Sequence, residues 1–358
     1  MLSLLRRAVA SRVSIASCLG LRSAGVARCF AWTSPEVDRR KAEQMTTPEE
    51  LEAAQTEREL WLLQTSKKLD ATCNTKDTKP WDDIAADVLT LHKDGLTVED
   101  DIVGLDDVKK YLKSYWDQRE YTHKFVCAGV HEGDNVCFTY WLDEGNKPKQ
   151  VDSSYPDWAK QPTNITGIMK YAYDPNTSKL VDIYLLRQLA ADEQYKKLKQ
   201  SVEYGKAKVD LSLYSAPPKE ISKTRHDEMA RTAPLYSKIW ATGDPQYADQ
   251  AMMDDVRYLD ETVPREVKGR EQFKEMIKET FKHWESIDNM SWTAPTYGNK
   301  TFIHWTDEGV HKDTGQRDSL YGLTILRYDY DMISHIKEAV EFRQLLSTER
   351  QQMLRSEA

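Results

Sequence analysis

The chain has 358 residues and a formal charge of −8, from 50 basic and 58 acidic side chains. Length alone suggests about two domains, and an acidic balance with Lys and Arg spread among Asp and Glu argues against nucleic acid as a partner. No run is apolar for long enough to span a bilayer. HExxH, cysteine pairs at zinc spacing, GxxxxGK[ST], GxGxxG and a serine nucleophile elbow are all missing from the sequence, so no metal, nucleotide or other cofactor is expected.

Residues 1–30 carry Arg6, Arg7, Arg12, Arg22 and Arg28 without one acid, and serines at 3, 11, 14, 17 and 23. Leu2, Leu4, Leu5, Val9, Val13 and Ile15 interleave with the arginines, so a helix there is amphipathic, and Arg6, Arg7 and Arg12 break the apolar core that a secretory signal needs. This predicts a mitochondrial transit peptide, with a chloroplast address as the nearer alternative. Arg28-Cys29-Phe30-Ala31 resembles the mitochondrial processing site, with Phe30 at the cut and Ala31 as the new first residue. Losing five arginines would take the formal charge from −8 to −13. Cys73, Cys127 and Cys137 would remain, an odd number without CxxC, which fits reduced thiols and a location in the matrix or at the matrix face of the inner membrane.

An N-terminal extension, 31–48, precedes a first domain at 49–190 that opens on a long charged helix. Residues 191–225 read as a helix-compatible stretch, Ala190 to Lys208, followed by a linker stiffened at Pro217-Pro218. A second domain follows at 226–346, and then a tail, 347–358. The two domains repeat one another. Gly104, Lys109 and Lys113 align with Gly269, Lys274 and Lys278, and Phe138-Thr-Tyr-Trp141-Leu-Asp143-Glu144-Gly145 aligns with Phe302-Ile-His-Trp305-Thr-Asp307-Glu308-Gly309. Tyr171-Ala-Tyr-Asp174 and Arg187-Gln188-Leu189 likewise match Tyr328-Asp-Tyr-Asp331 and Arg343-Gln344-Leu345. Two copies make a tandem domain and argue against a solenoid.

In the second copy, helical spacing predicts Arg231 to Ala241, Tyr247 to Met253, and a helix opened by Lys268-Gly269-Arg270-Glu271 that carries Phe273, Met276, Ile277 and Phe281. Strands are expected at Val256 to Leu259, Met290 to Trp292, Thr301 to Thr306, Leu320 to Tyr328 and Met332 to Val340. Asp307-Glu308-Gly309 and Asp329-Tyr330-Asp331 read as turns. Tyr236-Ser-Lys-Ile-Trp240-Ala-Thr-Gly243-Asp244-Pro245, then Asp255-Val256, then Gly269-Arg270-Glu271 resemble the SnoaL-like branch of the nuclear transport factor two-like superfamily. The resemblance implies an α+β fold of two tandem cone-shaped domains, each with three helices packed on a curved, mostly antiparallel sheet. The first copy departs from it, with Asn74-Thr75-Lys76-Asp77 for Gly-Asp, Gly104-Leu105-Asp106 for Gly-Arg-Glu, and an insertion at 146–163. The insertion's Pro156, Trp158 and Pro162 read as contact surface.

Enzymes of that superfamily place a carboxylate, tyrosine or histidine inside the cone, where burial tunes proton transfer. In the second copy Tyr258, Asp260, His304, Tyr321 and His335 lie on or beside strands that can point inward. Asp260, His304 and Tyr321 are the acid and base candidates if the protein is an enzyme; the plainer readings are a turn-opening aspartate and a hydrogen-bonded strand histidine. At the matching place the first copy has His92 and Asp94. The many tryptophans, Trp61, Trp81, Trp116, Trp141, Trp284, Trp292 and Trp305 among them, predict solidly packed cones.

The function expected from these features is a non-catalytic structural or accessory subunit, its partners being other subunits of a mitochondrial complex. By size and address the lineage-specific peripheral-stalk proteins of the chlorophycean algal ATP synthase fit best. The alternative is a SnoaL-like isomerase, cyclase or hydrolase acting on a small apolar substrate in the second domain. The discriminating feature is whether that cone holds a pocket of several hundred cubic ångströms, on the order of known ligand sites.

Overall fold

The computed structural model describes residues 57–93, 101–131, 133–198, 201, 209–215, 223–263, 265–295 and 298–344. The expected transit peptide with Phe30 and Ala31, the 31–48 extension, Pro217-Pro218 and the 347–358 tail lie outside the described residues.

The first half runs α1 (Glu57–Thr75), α2 (Lys79–Ile84), β1 (Ala85–Lys93), β2 (Ile102–Val103), α3 (Leu105–Gln118), β3 (Arg119–His131), β4 (Val136–Pro148), β5 (Thr163–Tyr173) and β6 (Leu180–Arg187). Two connecting helices follow, α4 (Ala191–Leu198) and α5 (Ser212–Ser215). The second half repeats the plan with α6 (Lys223–Thr242), α7 (Tyr247–Ala251), β7 (Met252–Asp260), β8 (Arg265–Lys268), α8 (Arg270–His283), β9 (Trp284–Pro295), β10 (Lys300–His311), β11 (Arg317–Tyr328) and β12 (Ile336–Arg343). The sheet orders are β2-β1-β6-β5-β4-β3 and β8-β7-β12-β11-β10-β9. In each, only the first and last long strands pair in parallel; the rest of the ladder is antiparallel. The fold is therefore α+β, two tandem domains of three helices on a six-stranded sheet, as the resemblance implies.

The repeated glycines have a backbone cause. Gly104 and Gly269 stand immediately before α3 and α8 with φ of 105° and 87°, a region that side-chain-bearing residues avoid. Their amides donate to Leu89 O (2.8 Å) and Val256 O (2.7 Å), so each glycine ties the helix start to its first long strand. On α6, Met229, Ala233, Tyr236 and Ile239 recur at helical spacing and are buried, as are Phe273 and Ile277 on α8. They meet the inward strand residues Val256, Tyr258, Ile303, Leu326 and Ala339. In the first half Leu62, Leu69, Trp81, Ile84, Leu105 and Val108 do the same against β1 and β4 to β6.

The alternate strand residues face a second core. Phe138, Tyr140, Ile168 and Leu186 of the first sheet pack against Phe302, Leu323, Ile325, Val340 and Phe342 of the second. The halves thus stand sheet to sheet with helices outermost, a four-layer block in which both faces of the central strands are buried. Phe138 and Phe302, equivalent in the repeat, stack on each other with ring centroids 5.6 Å apart. Equivalent residues meet, as across an isologous contact. Tyr214 of α5 is inserted in this seam, donating to Glu338 (2.7 Å) and edge-on to Tyr140 (5.6 Å).

Several expected boundaries shift. Asp307-Glu308-Gly309, read as a turn, lies within β10, where a register shift between Glu308 and Gly309 absorbs the polar triplet. The last strand begins at Ile336 instead of Met332. The 146–163 insertion is only partly loop, because β4 continues to Pro148 and a 3₁₀ turn forms at Asp157–Lys160. Of the helix-compatible stretch Ala190 to Lys208, the described helix is Ala191–Leu198.

Candidate functional site

Each cone encloses a small cavity between helices and sheet. The first measures about 60 Å³ and is lined mostly by apolar and aromatic side chains, Leu69, Trp81, Leu91 and Trp141 among them. His123 of β3 and Asp143 of β4 form its polar end. The imidazole Nδ1 lies 2.6 Å from Asp143 Oδ1, and Nε2 lies 3.0 Å from Asp70 Oδ2 of α1. Burial alone would lower the histidine's pKa, but hydrogen bonding to Asp143 and the nearby Asp70 carboxylate outweigh it and hold it at about 9. Two carboxylates flanking His123 thus favour its imidazolium form near neutral pH. Asp70 Oδ1, Trp141 Nε1 and His123 Nε2 are buried without a well-directed hydrogen bond, so Asp70 faces the imidazole as an ion-pair partner only.

Two further buried ion pairs close this end of the cone. Arg119 makes a fork to Asp192 of α4 (2.6 and 3.1 Å) and donates to Asn146 Oδ1 (2.6 Å). Arg187 makes a fork to Glu193 (2.8 Å each). Both guanidinium groups lie over the ring of Tyr115, a cavity-lining residue. Burial opposes ionisation of Glu193, yet the Arg187 charge wins and holds its carboxyl down at about 2.

The second cavity measures about 80 Å³, and its lining includes Trp240, Tyr258, Phe281, Trp305, Asp307 and Glu341. Glu341 of β12 accepts from the Tyr236 hydroxyl (2.9 Å). Burial, followed by the Asp260 charge, pushes its carboxyl up to about 7 against the opposing pull of Arg343. Asp307 accepts from Trp284 Nε1 (2.9 Å) and Ser286, and burial raises its pKa despite these bonds.

Of the three sequence candidates, only Asp260 lies on the cone side of its strand, sharing parity with the core residues Val256 and Tyr258. Its carboxylate is committed, accepting from Arg343 Nε (2.8 Å) and from the amides of Thr262 (3.1 Å) and Val263 (3.2 Å). His304 and Tyr321, on strands that could have pointed them inward, lie in the seam, His304 as the plainer reading of a hydrogen-bonded strand histidine on the outer face had it. Trp305 and Ile303 take the cone side of β10, so His304 shares the opposite face with Phe302. There Nδ1 of His304 accepts from Lys170 Nζ (2.7 Å), and the ring stacks on Trp292 (5.1 Å) and meets Tyr184 (4.7 Å). Burial, then the Lys170 charge, pushes its pKa well below the ordinary imidazole value. Burial also lowers Lys170, to about 8.

His92 pairs with Asp101 (2.9 Å) and stacks on Tyr184 (4.3 Å); Asp94 lies outside the described residues. Of the insertion residues expected to form contact surface, Trp158 and Pro156 are half-buried and Pro162 is exposed. Trp158 packs edge-on against Tyr195 of α4 (6.0 Å), as does Tyr155 (4.9 Å, tilted), so the loop's aromatic side holds the chain's own helix. Among the described residues no group of three or more His, Cys, Asp or Glu side chains is placed to hold a metal ion.

Sequence reasoning missed His123, Asp70 and Glu341. Strand parity offered a signal for Glu341, two residues from the inward Ala339, whereas nothing local announces the pairing of His123 with α1.

No family model and no curated protein matches the chain. Solved structures that do match are of the SnoaL-like and ketosteroid isomerase-like kind. A hypothetical protein with a ketosteroid isomerase-like fold from Catenulispora acidiphila, in complex with trimethylamine, is 18% identical over 36% of this chain and 95% of its own, with a TM-score of 0.31. A putative SnoaL-like polyketide cyclase from Mesorhizobium loti is 14% identical over 32% of this chain and 97% of its own (TM-score 0.28). An LEH-like epoxide hydrolase from M. tuberculosis is 12% identical over 36% of this chain and 90% of its own (TM-score 0.29).

Proposed function

We propose that this chain is a non-catalytic structural or accessory subunit of a larger mitochondrial assembly on the matrix side, with the ATP synthase peripheral stalk as the assembly to test first. The observation that carries the reading is the filling of both cones. Residual cavities of about 60 and 80 Å³ are several-fold smaller than the roughly 300–1,000 Å³ of small-molecule sites. Indole and phenol rings occupy the space a substrate would need, and most polar groups there are paired with one another. The sheet-to-sheet seam adds a second buried core, which suits a rigid block. The arginine-rich, acid-free residues 1–30 supply the address.

The test is native electrophoresis of detergent-solubilised mitochondria, with mass spectrometry of what migrates with the chain. Stoichiometric co-migration with ATP synthase or another large complex supports the reading; migration at the chain's own mass, in all detergents, removes it.

A second reading has one observation in its favour. Glu341, held at about 7, faces the second cavity, which Trp240 also lines. A carboxyl poised there can exchange a proton with a small neutral ligand near neutral pH, which suits an isomerase, cyclase or hydrolase of small apolar molecules. Screening such compounds by NMR chemical-shift perturbation tests it. Perturbations at Trp240 and Glu341 that vanish in Glu341→Gln support it, and a silent second cone dismisses it.

A further inference from the structure

Glu261 belongs to the second half by sequence but is held by the first. It follows β7, is 7% exposed, and is fixed at its backbone by a hydrogen bond that its amide donates to Glu341 O (2.8 Å). Its Oε2 accepts from Gln188 Nε2 and from Thr166 Oγ1 (3.4 Å), both in the first half. Gln188 is itself oriented for this contact, because its Oε1 accepts from the Thr166 amide (3.0 Å) and its own amide donates to Thr166 O (3.0 Å). The charged groups around Glu261 are Asp260, paired with Arg343, and Glu338, paired with Arg257 (2.7 Å) with Arg327 at 3.5 Å. The phenol of Tyr140 lies on the first-half side, and that of Tyr214 bonds Glu338. Among the described residues no cation forms an ion pair with Glu261 itself.

We propose that Glu261 is a proton-controlled latch between the two halves: as a neutral acid it joins them through Gln188 and Thr166, and as a carboxylate, buried beside Asp260 and Glu338 without a cation of its own, it loosens the seam. The inference is independent of the partner proposed above. A buried carboxyl without a cation is accommodated more easily as the neutral acid than as the charged carboxylate. Burial first, then the Asp260 charge, pushes this carboxyl up to about 8, with Thr166 and Gln188 pulling the other way. The folded pKa lies above the unfolded one, so the contribution to stability is complete below the ordinary glutamate range, declines as pH rises, and is lost above about 8.

Hydrogen–deuterium exchange of the full chain between about pH 6 and pH 9, corrected for intrinsic exchange, reads the latch directly. Protection of the segments around Thr166, Gln188 and Glu261 is expected to fall about tenfold or more across this range. Glu261→Gln keeps a hydrogen-bonding side chain that cannot ionise, so its seam protection should be flat with pH. Constant protection in the wild type, or an equal fall in Glu261→Gln, overturns the proposal. Should that variant not fold, Gln188→Leu serves: seam protection at the acid end should drop toward the wild type's alkaline level, and full retention overturns the latch.

Discussion

Gly167 offers a sharp test of how tightly the first cone is filled. It lies on β5 opposite Trp141 of β4 and Arg187 of β6. A Cβ at this position would stand 2.3 Å from Trp141 Cζ2, 2.8 Å from Cε2 and 2.8 Å from Arg187 Cβ. Such contacts cannot be tolerated in place. The indole meets His123 on one side (ring centroids 5.3 Å) and can yield only into the residual cavity of about 60 Å³, and Arg187 is pinned by its fork to Glu193 (2.8 Å each). Gly167→Ala should therefore cost near the upper part of the overpacking range, about 2–3 kcal/mol, with a fall in Tm of roughly 5 °C or more. The assay is equilibrium chemical denaturation followed by tryptophan fluorescence and far-ultraviolet circular dichroism. Trp141→Phe removes the atoms that collide, so the double variant should be less destabilised than the sum of the singles, with a coupling of about 1 kcal/mol or more. A Gly167→Ala protein within about 0.5 kcal/mol of wild type, or strict additivity in the cycle, would refute the argument that the indole fills the cone.

Three further outcomes are expected. His123 has a folded pKa of about 9, above its unfolded value of 6.5, so its stabilisation is complete below the unfolded pKa and is lost as pH rises through 9. His123→Asn should flatten that part of the stability-versus-pH curve and destabilise the neutral-pH protein by about 3–5 kcal/mol, because Asp70 and Asp143 lose their cation; an unchanged slope in denaturation midpoints would count against the clamp. Lys170→Met removes the positive charge next to His304 and should move that imidazole's pKa upward toward the ordinary range, observable by NMR titration; no movement would mean burial alone depresses it. Arg119→Ala strips buried Asp192 of its fork and should cost about 3–5 kcal/mol, with exchange protection lost first at α4; a loss spread evenly over the chain would contradict the local role.

Much of each half could be read from its residues. The alternation of Val256, Tyr258 and Asp260, the helical spacing of Tyr236, Ile239 and Trp240, and the repeated Gly104 and Gly269 are local consequences of period and of allowed φ, so they survive without knowledge of the neighbours. The Trp-containing motif was visible as a repeat too, although its close approach to glycine was not: a Cβ at Gly322 would stand 2.2 Å from Trp305 Cζ2, just as one at Gly167 meets Trp141. Asp307-Glu308-Gly309 misled because a polar triplet inside a strand looks like a turn unless the bulge that accommodates it is seen.

What the amino-acid sequence determined by itself was the duplication, the helix and strand order and the parity of each strand. Which parity faces which core was decided only by the tertiary structure. In β10 both Phe302 with His304 and Ile303 with Trp305 are apolar or aromatic sets, and a strand buried on both sides carries no polar face to orient it. His304 and Tyr321 therefore fell to the seam, Glu341 and His123 to the cones. The reason is that packing the two sheets against each other removes solvent from the face that would otherwise have marked itself as polar, and burial of that face is a property of the pair of domains.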